Sequence, residues 1–144
     1  MISAPIKYRK LKSYKYQTLE DALFYSNIYP PHDVSNGYIT LKKDGRLIIA
    51  KFYCWDGTSG PTVDGPTNMS ASLAHDALYQ LIRENFLSFH YKSACDYFFI
   101  EICNEKGMCE VRQWVDLRGL QMFGRNSCEP RVGVELQDQV FTAP

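Results

Sequence analysis

The sequence predicts an α+β fold in which an amino-terminal antiparallel β-hairpin or sheet packs on a unit of two to three helices. Apolar residues alternate at every second position in the first half of the chain, and after residue 68 they recur with the helical period of about 3.6. With 45% hydrophobic and 22% charged residues, the 144-residue chain can bury one core. We therefore expect a single domain over residues 1–124, followed by an extended arm or edge strand at residues 125–144.

The predicted strands surround a clear turn signal. Residues 38–41 and 47–52 flank an Asp-Gly pair at residues 44–45, and glycine tolerates the positive φ that a tight hairpin turn requires. Residues 14–19 and 22–25 are plausible further strands. The first half of the chain is therefore predicted to form the sheet.

Charge and hydropathy exclude several classes of partner. Sixteen basic and sixteen acidic residues give a formal net charge of zero, so we expect no nucleic-acid partner. The basic and aromatic strip at residues 7–16 is better explained as an edge strand protected by lysines than as a surface for bases or lipid headgroups. No apolar run reaches the roughly 18 residues of a membrane span, and the first residues lack the apolar segment of a signal peptide. We expect no transmembrane segment and synthesis in the cytoplasm.

The five cysteines show no spacing typical of a zinc site. We interpret them as mostly reduced, small core residues, with a disulfide framework as the alternative. They are Cys54, Cys95, Cys103, Cys109 and Cys128.

Helical periodicity begins after an irregular loop at residues 56–68, which is long for a compact domain and is therefore a candidate functional segment. Asn68 or Ser70 can cap the first helix, and Asn85 suits the left-handed position that closes it. The apolar stripe of this helix consists of Met69, Leu73, Ala74, Ala77, Leu78, Leu81 and Ile82.

A second helix follows closely, so that the two helices form a helical hairpin. Ser88 can cap this helix, and residues 104–107 end it. Residues 111–123 are predicted to form a third element, which Gly124 ends. The apolar stripe of the second helix consists of Cys95, Phe98, Phe99 and Ile102.

His75 and Asp96 are predicted to meet across the helical hairpin. His75 lies nine residues before the turn and Asp96 seven residues after it. At a rise of about 1.5 Å per residue, the axial offset is about 3 Å, which a carboxylate and an imidazole can bridge. A carboxylate bonded to one imidazole nitrogen fixes the tautomer and leaves the other nitrogen free to accept a proton from water. His75 is therefore the candidate general base and Asp96 its partner.

Oxygen ligands for a metal ion are predicted beside this pair. Asp76 is rotated by about 100° around the helix from the histidine, toward the preceding loop. Calcium prefers hard oxygen ligands, which Asp76, Asp56 and backbone carbonyls converging at Gly57 and Gly60 can supply. Asp64 in the same loop is more readily explained as a turn residue than as a ligand.

The order of these motifs resembles the secretory phospholipase A₂ superfamily, including the parvovirus capsid enzymes. In that superfamily a glycine-rich calcium loop precedes an H-D-x-x-Y helix, and a second helix supplies an aspartate to the histidine. Here the first helix contains HDALY and the second contains ACDYF. The resemblance implies that His75 is the general base, Asp76 a calcium ligand, Asp96 the partner of the histidine, and Tyr79 a support for the pair.

A longer stretch is similar to an uncharacterised family of small proteins common in bacteriophage genomes. Its members carry a Y-x-W-D-G-x-S-G-P loop and then S-L-x-H-D-A-L-Y-Q-L, which residues 53–61 and 72–81 match closely. The similarity extends over about residues 16–124 and implies a phage origin. Three residues of the matched loop are predicted to support the site: Trp55, Ser59 and Pro61.

Two functions follow with nearly equal weight. The first is a calcium-dependent hydrolase of lipid esters, with phospholipid as the candidate substrate, that helps a phage pass the host membrane. The second is a non-catalytic component of the virion or tail, in which the same residues form a buried polar network. Its partners would be other virion proteins or further copies of the chain. A third alternative is an effector in the host cytoplasm that binds a host protein through the amino-terminal strip.

Overall fold

The computed structural model describes residues 1–12, 16–57 and 65–128. Strands occupy the amino-terminal part and helices follow, which confirms the predicted α+β class. None of the described helices combines the length and the apolar character needed to cross a membrane. The strands are β1 (Tyr8–Lys10), β2 (Tyr16–Thr18), β3 (Ala22–Tyr25), β4 (Val34–Ser35), β5 (Ile39–Leu41), β6 (Arg46–Ile49) and β7 (Cys54–Trp55). The helices are α1 (Met69–Arg83), α2 (Lys92–Glu105), α3 (Glu110–Phe123) and α4 (Arg125–Cys128), and a 3₁₀ turn at Phe89–Tyr91 precedes α2.

The larger sheet forms around the predicted hairpin, with the antiparallel order β3-β6-β5-β4. Gly45 has a φ of +95° in the turn between β5 and β6, and a Cβ there would collide with the backbone carbonyl of Ser26. Glycine is therefore required at this position. Ile39 and Leu41 of β5 are fully buried on the face that packs against the helices.

The smaller sheet has the antiparallel order β1-β2-β7. Its outer strand β1 is exposed along its whole length, as predicted for an edge strand protected by basic residues. Tyr16 in β2 pairs with Trp55 in β7. This pairing fixes the point at which the chain enters the loop that begins at residue 56.

α1 and α2 form the predicted helical hairpin, and their apolar faces complete the core. Asn85 closes α1 with a φ of +65°, as expected. Phe98 on α2 packs edge-on against Phe24 of the sheet, with ring centroids 6.5 Å apart. Ser88 was predicted to cap α2, but its side chain accepts a hydrogen bond from the His90 amide and so caps the 3₁₀ turn. The prediction was wrong because this tighter turn precedes the regular helix.

The carboxy-terminal helices pack against α1 and α2. α3 confirms the predicted third element, and Gly124 ends it. The first four residues of the segment predicted as an extended arm or edge strand instead form α4, whose Cys128 is 1% exposed. Burial of this side chain favours a helical turn over an extended one. Residues 129–144 of the predicted arm lie outside the described residues.

Three of the five cysteines are core residues, as predicted. Cys95, Cys103 and Cys128 are buried, whereas Cys54 is half-buried and Cys109 exposed. Burial raises the pKa of Cys103 and of Cys128 to about 12, and raises the pKa of Cys95 as well. These three thiols therefore stay protonated and unreactive at neutral pH.

Candidate functional site

The helical hairpin brings His75 and Asp96 into direct contact. His75 Nε2 lies 2.8 Å from Asp96 Oδ1, and the two side chains are 3% and 1% exposed. The contact follows from the regular geometry of two antiparallel helices whose turn lies midway between the two residues. The predicted pairing is therefore present.

Asp96 accepts hydrogen bonds from two further side chains. The Tyr79 hydroxyl donates to Oδ1 at 2.5 Å, and the Lys92 ammonium donates to Oδ2 at 2.7 Å. Burial by itself would raise the pKa of Asp96, but the hydrogen bonds from His75, Lys92 and Tyr79 outweigh it and the pKa is lowered. The carboxylate is therefore ionised at neutral pH.

His75 is held in the neutral form. Burial lowers the pKa of its imidazole, and this effect outweighs the opposing influence of Asp96. Because an ionised carboxylate can only accept, Nε2 carries the proton and donates it to Asp96, which leaves Nδ1 with a lone pair. Nδ1 has no hydrogen-bond partner within the described part of the chain. The imidazole is thus set up to accept a proton.

A cleft of about 720 Å³ opens beside the imidazole. One wall is a face of α1, and the other is formed by residues 50–57 together with Tyr38. The α1 wall consists of His75, Asp76, Tyr79, Gln80 and Arg83.

Hydrogen bonds fasten the two walls of the cleft to each other. Trp55 Nε1 donates to Ser72 Oγ at 3.0 Å near the start of α1. Tyr53 donates its hydroxyl proton to Gln80 Oε1 at 2.9 Å, and Gln80 Nε2 donates to the hydroxyl of Tyr38 at 2.6 Å. Trp55 is only 2% exposed, so it anchors the wall, and its support of the site stays a prediction.

The predicted oxygen ligands lie partly in this cleft. Asp76, Asp56 and Gly57 all line it, and Gly57 has a φ of +85°, which permits the sharp change of chain direction after Asp56. Within residues 1–12, 16–57 and 65–128, no group of three or more His, Cys, Asp or Glu side chains is close enough to hold a metal ion. The other predicted residues of the loop lie outside the described residues: Ser59, Gly60, Pro61 and Asp64.

Among the residues of the site that were not predicted, Lys92 and Arg83 could have been found from their helical spacing. Lys92 precedes Asp96 by four residues on α2, a spacing that places a lysine and an aspartate on the same face of a helix and that could have revealed the pair. Arg83 follows His75 by eight residues on the same wall of the cleft. The helical period could have placed Arg83 there, but only the structure shows that this face lines a cleft.

Comparison of the chain with protein-family models, with curated proteins and with solved structures found no match. A neutral histidine with a free nitrogen and an ionised partner can carry out general base catalysis.

Proposed function

We propose that the protein hydrolyses carboxylic esters of lipids, with His75 as the general base. The proposal is supported above all by the His75–Asp96 pair, whose imidazole has a free Nδ1 and lines an open cleft. Nδ1 takes a proton from water as the water oxygen bonds to the ester carbonyl carbon. Asp96 stabilises the imidazolium, which then gives its proton to the leaving alkoxide as the ester C–O bond breaks.

We propose calcium as the cofactor of this site. Asp76 and Asp56 line the cleft with His75, and their carboxylates are the type of oxygen ligand that calcium prefers. Calcium usually has six to eight oxygen ligands, so these two carboxylates would supply only part of its coordination. When bound there, calcium supplies positive charge that polarises an ester carbonyl. Asp76 and Asp56 would hold the ion, and His75 would act on the water.

The resemblance to phospholipases favours a phospholipid substrate, and the resemblance to the phage family favours a phage-encoded protein. Together they suggest a biological role in passage of the phage through the host membrane. Synthesis in the host cytoplasm, with later incorporation into the virion, fits this role.

The test is release of fatty acid from phospholipid vesicles in the presence of calcium. We expect His75→Ala to lower the rate by about 10³-fold, within the range of general base contributions. His90→Ala is the matched control, because His90 is exposed on the 3₁₀ turn and should keep the full rate. Equal rates for wild type and His75→Ala would refute the proposal. Calcium should also raise the melting temperature of wild type and of Asp44→Ala, but not that of Asp76→Ala.

A second candidate is the structural component of a virion or tail, which a different observation favours. One face of α3 exposes large apolar side chains, with Val111, Trp114 and Met122 each more than 60% exposed. Such a stripe is typical of a surface that binds other proteins. Co-purification with phage particles, together with complexes that Trp114→Ser disrupts, would favour this candidate. A wild-type chain that sediments as a monomer and is lacking from particles would exclude it.

A further inference from the structure

Charge is distributed unevenly along the cleft. Asp56 follows Trp55, which is bonded to Ser72 in the first turn of α1, so the acidic residues and His75 share one end. Lys51 precedes Tyr53, which is bonded to Gln80 near the other end of α1. Lys51 and Arg83, the basic residues that line the cleft, therefore lie toward the other end. Glu84, beside Arg83, does not line the cleft, and its carboxylate accepts hydrogen bonds from Gln80 Nε2 at 3.3 Å and Asn36 Nδ2 at 2.7 Å.

The basic end lies within reach of a ligand that occupies the acidic end. Arg83 follows His75 by eight residues on α1, which corresponds to about 12 Å along the helix, and its long side chain can shorten that distance. Between these residues the wall presents the hydroxyl of Tyr53, the amide of Gln80 and the hydroxyl of Tyr38. These groups are hydrogen-bonded to one another, but an acyl chain laid against them would remove their remaining lone pairs and the hydroxyl proton of Tyr38 from water, which is unfavourable. This half of the cleft therefore suits a polar group.

The backbone at the basic rim is strained and held in place. Phe52, next to Lys51, has a φ of +72°, which is rare for a bulky side chain. Its amide donates to the Thr18 carbonyl at 2.8 Å, and its carbonyl accepts from Gln17 Nε2 at 3.2 Å. Strained residues of this kind are concentrated in sites that bind ligands. Lys51 Nζ lies over the Phe52 ring, 5.1 Å from its centroid, so the side chains of these two residues are in contact at the rim.

We propose that Arg83, assisted by Lys51, binds an anionic group of the substrate, a phosphate or a carboxylate. Because the same two cations repel the ammonium that a zwitterionic headgroup carries beside its phosphate, the protein binds anionic esters more tightly than zwitterionic ones. The inference rests on the proposed function for the position of the reacting bond, at His75. Arg83 already takes part in an interaction within the chain, but the five donors of a guanidinium allow it to bind an anion in addition.

The test compares two short-chain lipids that dissolve as monomers: anionic dihexanoyl phosphatidylglycerol and zwitterionic dihexanoyl phosphatidylcholine. Calorimetric titration in calcium-free buffer measures binding without turnover. We expect wild type to bind the anionic lipid about tenfold more tightly, Arg83→Gln to lose this preference, and Arg83→Lys to keep most of it. Arg46→Gln is the matched control, because Arg46 lies outside the cleft and pairs with Asp44 on the surface. Loss of the preference in this control, or no preference in wild type, would overturn the inference.

Two further arms separate this inference from the proposed function and identify the recognised group. His75→Ala should keep the preference for the anionic lipid, since it leaves Arg83 intact. Binding preference with no hydrolysis by wild type once calcium is added would refute the proposed function alone, whereas hydrolysis in calcium with equal affinities for both lipids would refute the inference alone. Displacement of the lipid by inorganic phosphate would identify the bare phosphate as the recognised group. Arg83-dependent binding that phosphate does not displace would identify the whole headgroup.

Discussion

Helix α2 packs against α1 and against α3, and each interface contains one buried aspartate. The two carboxylates differ in whether hydrogen-bond donors surround them. At the interface with α1, Asp96 is 1% exposed and accepts hydrogen bonds from His75, Tyr79 and Lys92. At the interface with α3, Asp116 is 2% exposed, and its Oδ2 has no hydrogen-bond partner among the described residues. Both are removed from water, but only one is provided with donors.

The surroundings move the two pKa values in opposite directions. Burial would raise the pKa of Asp96, but the hydrogen bonds from its three partners lower it below the usual value for aspartate. Burial raises the pKa of Asp116, and the nearby charge of Arg112 opposes this only in part. Asp96 is therefore stabilised in its ionised form at the first interface, whereas ionisation of Asp116 is unfavourable at the second.

The two carboxylates also differ in their position relative to the cleft. Burying a charge costs free energy unless donors replace its water. Asp96 receives donors from both α1 and α2, and one of them, His75, lines the cleft. Apolar residues would pack this interface at lower cost, which agrees with the general base role that we propose for His75.

Removal of the Asp96 carboxylate is expected to have the largest effect. Asp96→Ala leaves the donors of His75, Tyr79 and Lys92 buried without an acceptor, which should lower the free energy of unfolding by about 3–5 kcal/mol. Urea denaturation measures the change. Asp116→Ala is the control, because it deletes an equally buried carboxylate without leaving donors unpaired and should cost much less. A loss below about 1 kcal/mol in Asp96→Ala would show that the network is not stabilising.

Removal of the positive charge beside Asp96 should have a smaller effect. Lys92→Met keeps most of the side-chain volume but deletes the 2.7 Å hydrogen bond to Oδ2, at a cost of about 1–3 kcal/mol. Lys42→Met is the matched control, since Lys42 contacts Asp33 at 3.4 Å on the surface, where ion pairs contribute little. Equal loss of stability in the two variants, measured by urea denaturation, would contradict the special role assigned to Lys92.

The features that the sequence predicts well are those set by local geometry. The turn at Gly45 and the closing residue Asn85 are both found with positive φ, because few residues tolerate that conformation. The meeting of His75 and Asp96 follows from helix periodicity and a short turn. These predictions need no knowledge of how distant segments pack.

Features that depend on packing between distant segments were not predictable. The pairing of Tyr16 with Trp55 places β7 in a second sheet, which alternation along one strand cannot reveal. The hydrogen bond from Tyr53 to Gln80 joins the two walls of the cleft, and no spacing rule along the sequence predicts such a contact between a strand region and a helix. The spacing of Lys92 and Asp96 could have predicted their contact. The contribution of that contact to stability, however, depends on burial, which only the fold determines.

The smallest expected effect is a gain in stability from Asp116→Asn. Because burial raises the pKa of Asp116, the folded state holds this proton more tightly than the unfolded state does. Its contribution to stability is therefore fully present below the unfolded pKa of about 3.9 and is lost as the pH rises through the folded pKa. Asparagine carries no charge at any pH, so Asp116→Asn should stabilise the protein by about 1 kcal/mol at neutral pH and by nothing at acid pH. Urea denaturation across this pH range measures the gain, and Asp96→Asn should behave oppositely, with its loss of stability largest at neutral pH. A gain for Asp116→Asn that did not change with pH would show that the charge of Asp116 is not the cause.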